Sequence, residues 1–260
     1  DTTAAPMEFY LGDLDIKDLR LNYDDRYLGI DSYFNVGRLM VEMQEFELDS
    51  MQFAAGDALI ENTKFRYAQT KAAPPSEGEE VPLPQFSIEN LEVKKLAGIY
   101  ESVPDGILAD VDIADLLLEL PKADLEGTSL VVDRLDLKNS RIALKTTITS
   151  AVPNQDTTAV ASAAEGFQWP EWKVDIEKIA LKNNEFSYFA DGAVIEEGKF
   201  NPQAIKMNDL HLIAENVLLK DQSAAIDLRE FTFSEAAGMD LKKFDLSLKM
   251  NSNKLVVNDL

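Results

Sequence analysis

The sequence predicts an all-β fold, repetitive, mostly antiparallel and elongated, and two observations carry that expectation. The first is a phrase, Leu14-x-Ile16-x-x-Leu19-x-Leu21, which returns as Phe86-x-Ile88-x-x-Leu91-x-Val93 and as Val174-x-Ile176-x-x-Ile179-x-Leu181. Placed on a helix, its apolar positions fall at about 0°, 200°, 140° and 340° and scatter around the axis. Placed on a strand, each pair shares one face, and the two-residue slip is a bulge or corner that resets the face. The second observation is that whole units repeat. Residues 36–48 lie over 113–125. At the same offset Ala58-x-Ile60-Glu61-Asn62-Thr63-Lys64-Phe65-x-Tyr67 lies over Leu135-x-Leu137-Lys138-Asn139-Ser140-Arg141-Ile142-x-Leu144. A third version is Ile179-x-Leu181-Lys182-Asn183-Asn184-Glu185-Phe186-x-Tyr188. Such self-similarity marks a repeat architecture, in which each unit buries its apolar face with its neighbours.

One continuous β-repeat domain is expected over 7–260, with units at about 7–71, 86–148 and 169–260 and loops at 72–85 and 149–168. The first unit alternates from Leu14 to Tyr23, turns at Asp24-Asp25-Arg26, resumes over 33–48 and 51–53, and ends on Phe65-x-Tyr67. Its loop, Ala72-Ala73-Pro74-Pro75-Ser76-Glu77-Gly78-Glu79-Glu80, has the prolines, glycine and acids of a solvated connection. In the second unit Asp105-Gly106 is a turn. Ile107, Val111, Ala114 and Leu118 would share a helical face, but alignment with the first unit favours strands there. The loop from Ser150 to Gln168 is rich in Ala, Thr and Ser, with room for one helical turn. The third unit starts at Trp169-Pro170-Glu171-Trp172. Strands are expected at 174–181, 185–189, 205–212, 217–219, 226–233, 240–250 and 254–259. The last of them resembles the opening of another phrase, so the chain is expected to be an excerpt from a longer protein.

Composition narrows the function classes. With 45 % hydrophobic residues the chain can bury a sizeable core, and apolar runs stay as short as Leu116-Leu117-Leu118, so no helical span is expected. Asp1-Thr2-Thr3-Ala4-Ala5-Pro6 has neither the basic start nor the apolar centre of a signal peptide. A formal charge of −22 argues against nucleic acid and against adsorption to anionic head groups. Acidity of this size keeps a long β protein soluble and its edges apart. The absence of cysteine removes disulfides and thiolate chemistry. His211, the single histidine, sits in the alternating run Leu210-His211-Leu212 and reads as an exposed strand residue with no triad partners. Asp110-x-Asp112-x-x-Asp115 lacks the glycine and terminal glutamate of a calcium loop, and its counterpart is Tyr33-x-Asn35-x-x-Arg38. No phosphate-binding loop is present. The sequence reads as a non-enzyme, with no cofactor, metal or catalytic residue expected.

The apolar positions carry more. Leu14, Ile16, Val41, Met43, Phe46, Leu48, Leu118, Leu120, Ile205, Met207 and Leu210 are expected to share one concave surface. Asp15, Glu42, Glu47, Glu119 and Asp209 between them are expected to face water. Within 41–53 these positions are medium to large, with two methionines, a residue that adapts to irregular partners. They suit either a filled sandwich core or a curved sheet whose inner face holds apolar ligand chains.

Trp172-Lys173-Val174-x-Ile176-x-Lys178-Ile179-x-Leu181-x-Asn183-Asn184-x-Phe186-x-Tyr188 resembles the TamB-like proteins of Bacteroidota. So do Glu196-Glu197-Gly198-x-Phe200-Asn201-Pro202 leading into Ile205-x-Met207-x-Asp209-Leu210, and Phe231-Thr232-Phe233-Ser234-Glu235-Ala236-Ala237-Gly238-Met239-x-Leu241-Lys242. The likeness is strongest over 172–260 and weaker over 14–148. It departs at 236–239, where the family often has Lys-Ser-Gly-Phe. These are translocation and assembly module proteins of the AsmA-like superfamily. The resemblance implies a periplasmic body anchored to the inner membrane by a segment outside this chain. It implies a folded-over sheet, a β-taco or repeating β-groove, in which the eleven apolar positions above line a lipid path. Phospholipid acyl chains would be the ligand, and an Omp85-type outer-membrane protein would be met by a C-terminal region absent here. The implied role is outer-membrane biogenesis: phospholipid movement across the periplasm, or assembly and secretion of outer-membrane proteins. The rival expectation is a β-repeat scaffold or adhesin with a filled core that binds a protein partner.

Overall fold

The computed structural model describes residues 12–72, 82–147 and 169–258. Most of both expected loops, with the helical turn expected in the second, lies outside the described residues. The strands are Leu14–Asp25 (β1), Ile30–Glu47 (β2), Gln52–Gln69 (β3), Gln85–Ser102 (β4), Ile107–Asp124 (β5), Ser129–Lys138 (β6) and Arg141–Thr146 (β7). They continue with Lys173–Ala190 (β8), Ala204–Lys220 (β9), Ser223–Glu235 (β10), Asp240–Leu241 (β11), Leu246–Asn251 (β12) and Lys254–Asn258 (β13). The fold is all-β, with no helix among the described residues. The stretch from Ile107 that could have been a helix is all strand. Gaps expected near 182–184 and 213–216 do not interrupt β8 or β9, whereas the run expected over 240–250 breaks after Leu241.

One sheet holds them all, in the order β1-β2-β3-β4-β5-β6-β8-β9-β10-β12-β13. β7 prolongs β6, pairing like it with both β5 and β8, and β11 pairs β10. Neighbours are antiparallel except at β3–β4 and where β6 and β7 meet β8. At those two places a long connection joins the end of one strand to the far end of the next. The sheet therefore advances in groups of three strands.

Two lines of irregularity cross the sheet from strand to strand. The first passes through Asp18, Asn62, Lys95, Asn139, Asn183 and Asp209, all of which take left-handed backbone with φ between 50° and 60°. Asn and Asp tolerate that region better than other residues with a Cβ, which gives the repeated Asn62, Asn139 and Asn183 a conformational cause. Gly37 sits on the same line in β2, where an added Cβ would come within 2.8 Å of Asn62. The second line holds the register shifts between Val41 and Glu45, those between Phe86 and Leu91, and Asn216 with φ 52°. Pro121, which has no N–H to give to a ladder, lies where the β5–β6 register is broken. Each long strand is thus cut into three panels, with apolar residues on one face throughout. In β4 these are Phe86 and Ile88, then Leu91 and Val93, then Leu96 and Tyr100, with Gly98 between the last two.

The slips of the sequence phrase are these creases, but the first copy is out of step. Cross-strand pairing runs Leu14↔Val41↔Ala58↔Leu91↔Leu118↔Leu135↔Ile179. Leu14 is therefore level with Ile179, one panel further along than Val174. The slip of β1 lies on the first crease, and those of β4 and β8 on the second.

Candidate functional site

Among the described residues all strands belong to one sheet, and each element approaches closely only the strands it is hydrogen-bonded to. Even so, Val93 on the apolar face is only 2 % exposed and Leu210 7 %. Burial of these side chains within a single sheet requires the sheet to close toward that face, so the apolar face is the concave one. Its deeply buried members are mostly small, Ala55, Ala58 and Ala214, or lie beside a crease, as do Ile113 and Val132. The large ones, Phe34, Phe46, Phe53, Phe65, Met43 and Met207, stay half-buried. A filled core would pack such side chains at crystal-like density.

The trough reads across from rim to rim. At one rim Phe46, Phe53 and Phe86 form a ladder, with ring centroids 5.4 Å and 5.6 Å apart. The floor between the creases carries rows such as Ile16-Leu39-Ile60-Val93-Leu116-Leu137-Leu181-Leu212. Beyond the first crease Phe34 stacks on Phe65 at 6.4 Å. The Phe65 ring lies over Gly98, where a Cβ would meet it at 2.1 Å. The last wall holds a tyrosine row: Tyr23, Tyr67, Tyr100 and Tyr188 share one level. Tyr67 and Tyr100 are stacked at 5.4 Å and 5°.

Ten of the eleven expected trough residues, Leu14, Ile16, Val41, Met43, Phe46, Leu118, Leu120, Ile205, Met207 and Leu210, lie on the concave face. Leu48 does not: it falls in the turn after β2 and is 49 % exposed. Alternation continued the face past Glu47, but the chain reverses there, and a turn has no period of two. Among the intervening acids, Asp15, Glu42, Glu47 and Asp209 are exposed and Glu119 is half-buried. The tyrosine and phenylalanine rows were not singled out in the sequence. Their signal is the recurring Phe65-x-Tyr67 and Phe186-x-Tyr188, which sequence comparison shows only as parts of the repeated stretch.

No family model, no curated protein and no solved structure matches the chain. The site therefore rests on its own geometry and chemistry.

The convex face is a lattice of cross-strand ion pairs, including Asp15–Arg38, Asp31–Arg66, Asp110–Arg141 and Asp175–Lys220. Each is exposed and so contributes little to stability; together they mark this face as the wet one. The Arg38 guanidinium, with Lys17, holds the Asp15 carboxyl below its usual range. Of the aspartates that suggested calcium, Asp110 is held by Arg141 at 3.1 Å and Asp115 lies 3.7 Å from Lys138. Among the described residues no group of three or more His, Cys, Asp or Glu side chains is placed to hold a metal ion. His211 is half-buried, not exposed as expected, and its Nδ1 lies 3.0 Å from the Asp209 carbonyl oxygen.

Proposed function

We propose that this chain is a periplasmic segment of an outer-membrane biogenesis protein, whose trough holds phospholipid acyl chains and conducts them between membranes. The observation that carries the reading is the concave apolar face, continuous over three panels, whose large side chains such as Phe34, Phe53, Phe65 and Met207 stay only half-buried. An apolar surface of this extent, rimmed by charge on its other side, marks a binding site. Acyl chains fit it because the face is lined by aliphatic and aromatic side chains with few polar groups, as apolar ligand sites are. The resemblance of 172–260 to TamB-like proteins supports the same reading and supplies its cellular setting.

The test is mass spectrometry of organic extracts from the purified protein, with Met207→Glu on the concave face set beside Met40→Glu on the convex one. Wild type and Met40→Glu are expected to carry phospholipid, and Met207→Glu to lose most of it while unfolding at nearly the wild-type denaturant midpoint. Wild-type protein free of lipid, or equal occupancy in the two variants, would leave the scaffold reading in its place.

A further inference from the structure

The two rims of the trough differ in chemistry, and that difference sets the orientation of whatever amphiphile lies in it. The tyrosine row ends one wall, and its hydroxyls reach the outermost level of the strands. Tyr23 Oη donates to Asp25 at 3.1 Å, Tyr67 Oη donates to Gln69 at 3.3 Å, and Tyr188 Oη lies 3.2 Å from Thr146 Oγ1. The ring bodies face the trough while the hydroxyls stand at the water's edge. This is the posture of tyrosine at a membrane interface, with its apolar body against chains and its polar tip at head-group level.

The opposite rim has no such row. Its wall ends in the phenylalanine ladder, and the turns above it expose Leu48, Leu83, Leu125 and Trp172. A head group laid there would lose water against rings that offer no hydrogen bond.

We propose that the trough binds its amphiphile in a single orientation, with polar head groups aligned along the tyrosine rim and acyl chains running over the Phe65 wall toward the floor. This rests on the lipid reading above and names the end of the ligand that each wall recognises.

The experiment loads the purified protein from phosphatidylcholine vesicles carrying a diazirine either in the head group or at the acyl terminus, then maps adducts by mass spectrometry. The head-group probe is expected to label residues around Tyr67 and Tyr100 at least about fivefold over Phe53 and Phe86, the ratio one retained hydrogen bond supports. The acyl-terminal probe is expected at the floor, near Ile60 and Leu116. Tyr67→Phe with Tyr100→Phe keeps both rings, and is expected to bring head-group labelling around those two positions down toward the level at Phe53 and Phe86. Equal head-group labelling of the two rims in the wild type overturns the orientation but leaves the lipid reading standing. Labelling of the concave face by neither probe overturns both.

Discussion

Asn184→Ala tests whether side chains hold the first crease together. Asn184 is 4 % exposed and spans the parallel junction between β8 and the β6–β7 break. Its Oδ1 accepts from the Ser140 N–H at 2.9 Å and its Nδ2 donates to the Leu137 carbonyl at 2.9 Å. The amide thus replaces ladder bonds that the left-handed turn at Asn139 removes. Truncation leaves the Ser140 N–H, in a residue 3 % exposed, without its side-chain partner, and removes a hydrogen bond to the half-buried Leu137 carbonyl. An orphaned buried group costs about 1–3 kcal/mol, so the variant should lose about 2–4 kcal/mol. Lys182→Ala, exposed two residues away, should stay within about 0.5 kcal/mol of wild type. The assay is urea unfolding, read as a fall in midpoint at constant slope, with hydrogen exchange at Ser140 as the local reporter. A midpoint within about 0.5 kcal/mol of wild type, with the Ser140 amide still protected, would refute the account of the crease.

The crease also depends on backbone conformation. Asn183→Val should lower stability by about 1–2 kcal/mol, since a β-branched residue resists φ near 53°, while Asn183→Gly should be close to neutral; equal urea midpoints for the two would remove the conformational explanation. Gly98→Ala should destabilise by about 1–3 kcal/mol as its Cβ meets the Phe65 ring, and Phe65→Leu in the same chain should recover part of the loss; a Gly98→Ala protein as stable as wild type would show that the ring moves freely. The Gly127 N–H at 2.7 Å, with Lys122, holds the Asp124 carboxyl below its usual range. A depressed folded-state value gives stability that is present above the unfolded value of about 3.9 and lost as pH falls through the folded one. The stability advantage of wild type over Asp124→Asn should therefore be full at neutral pH and shrink below about pH 4; a difference that does not change with pH would count against that role.

Much of the fold was legible because its determinants are local. A period of two makes strands, a two-residue slip makes a crease, and both can be counted along the chain. The asparagines repeated at equivalent places, Asn62, Asn139 and Asn183, were visible only as matched positions; their left-handed backbone, which asparagine accepts and most residues resist, came from the structure. Of the eleven residues that the alternation of apolar and charged positions assigned to the concave face, ten lie on it. It failed at Leu48 because it cannot see the turn that ends β2.

The sequence by itself determined that the chain is built of strands, which side of most of them is apolar, and one bend in each of β1, β4 and β8. Only the tertiary structure decided how the strands stand beside one another. Leu14-x-Ile16-x-x-Leu19-x-Leu21 fits either crease equally well, because the same spacing recurs along a strand through Phe86, Ile88, Leu91, Val93 and Leu96. Hydrogen bonding to Val41 and Leu39 places it one panel along. The same holds for the trough. Whether Phe53, Met43 or Met207 faces a second layer or open space depends on contacts between distant parts of the chain, and half-buried alternation looks the same in both cases. The two rims were beyond reach for a related reason. Tyr23, Tyr67, Tyr100 and Tyr188 lie far apart in sequence, and only register brings their hydroxyls into one row.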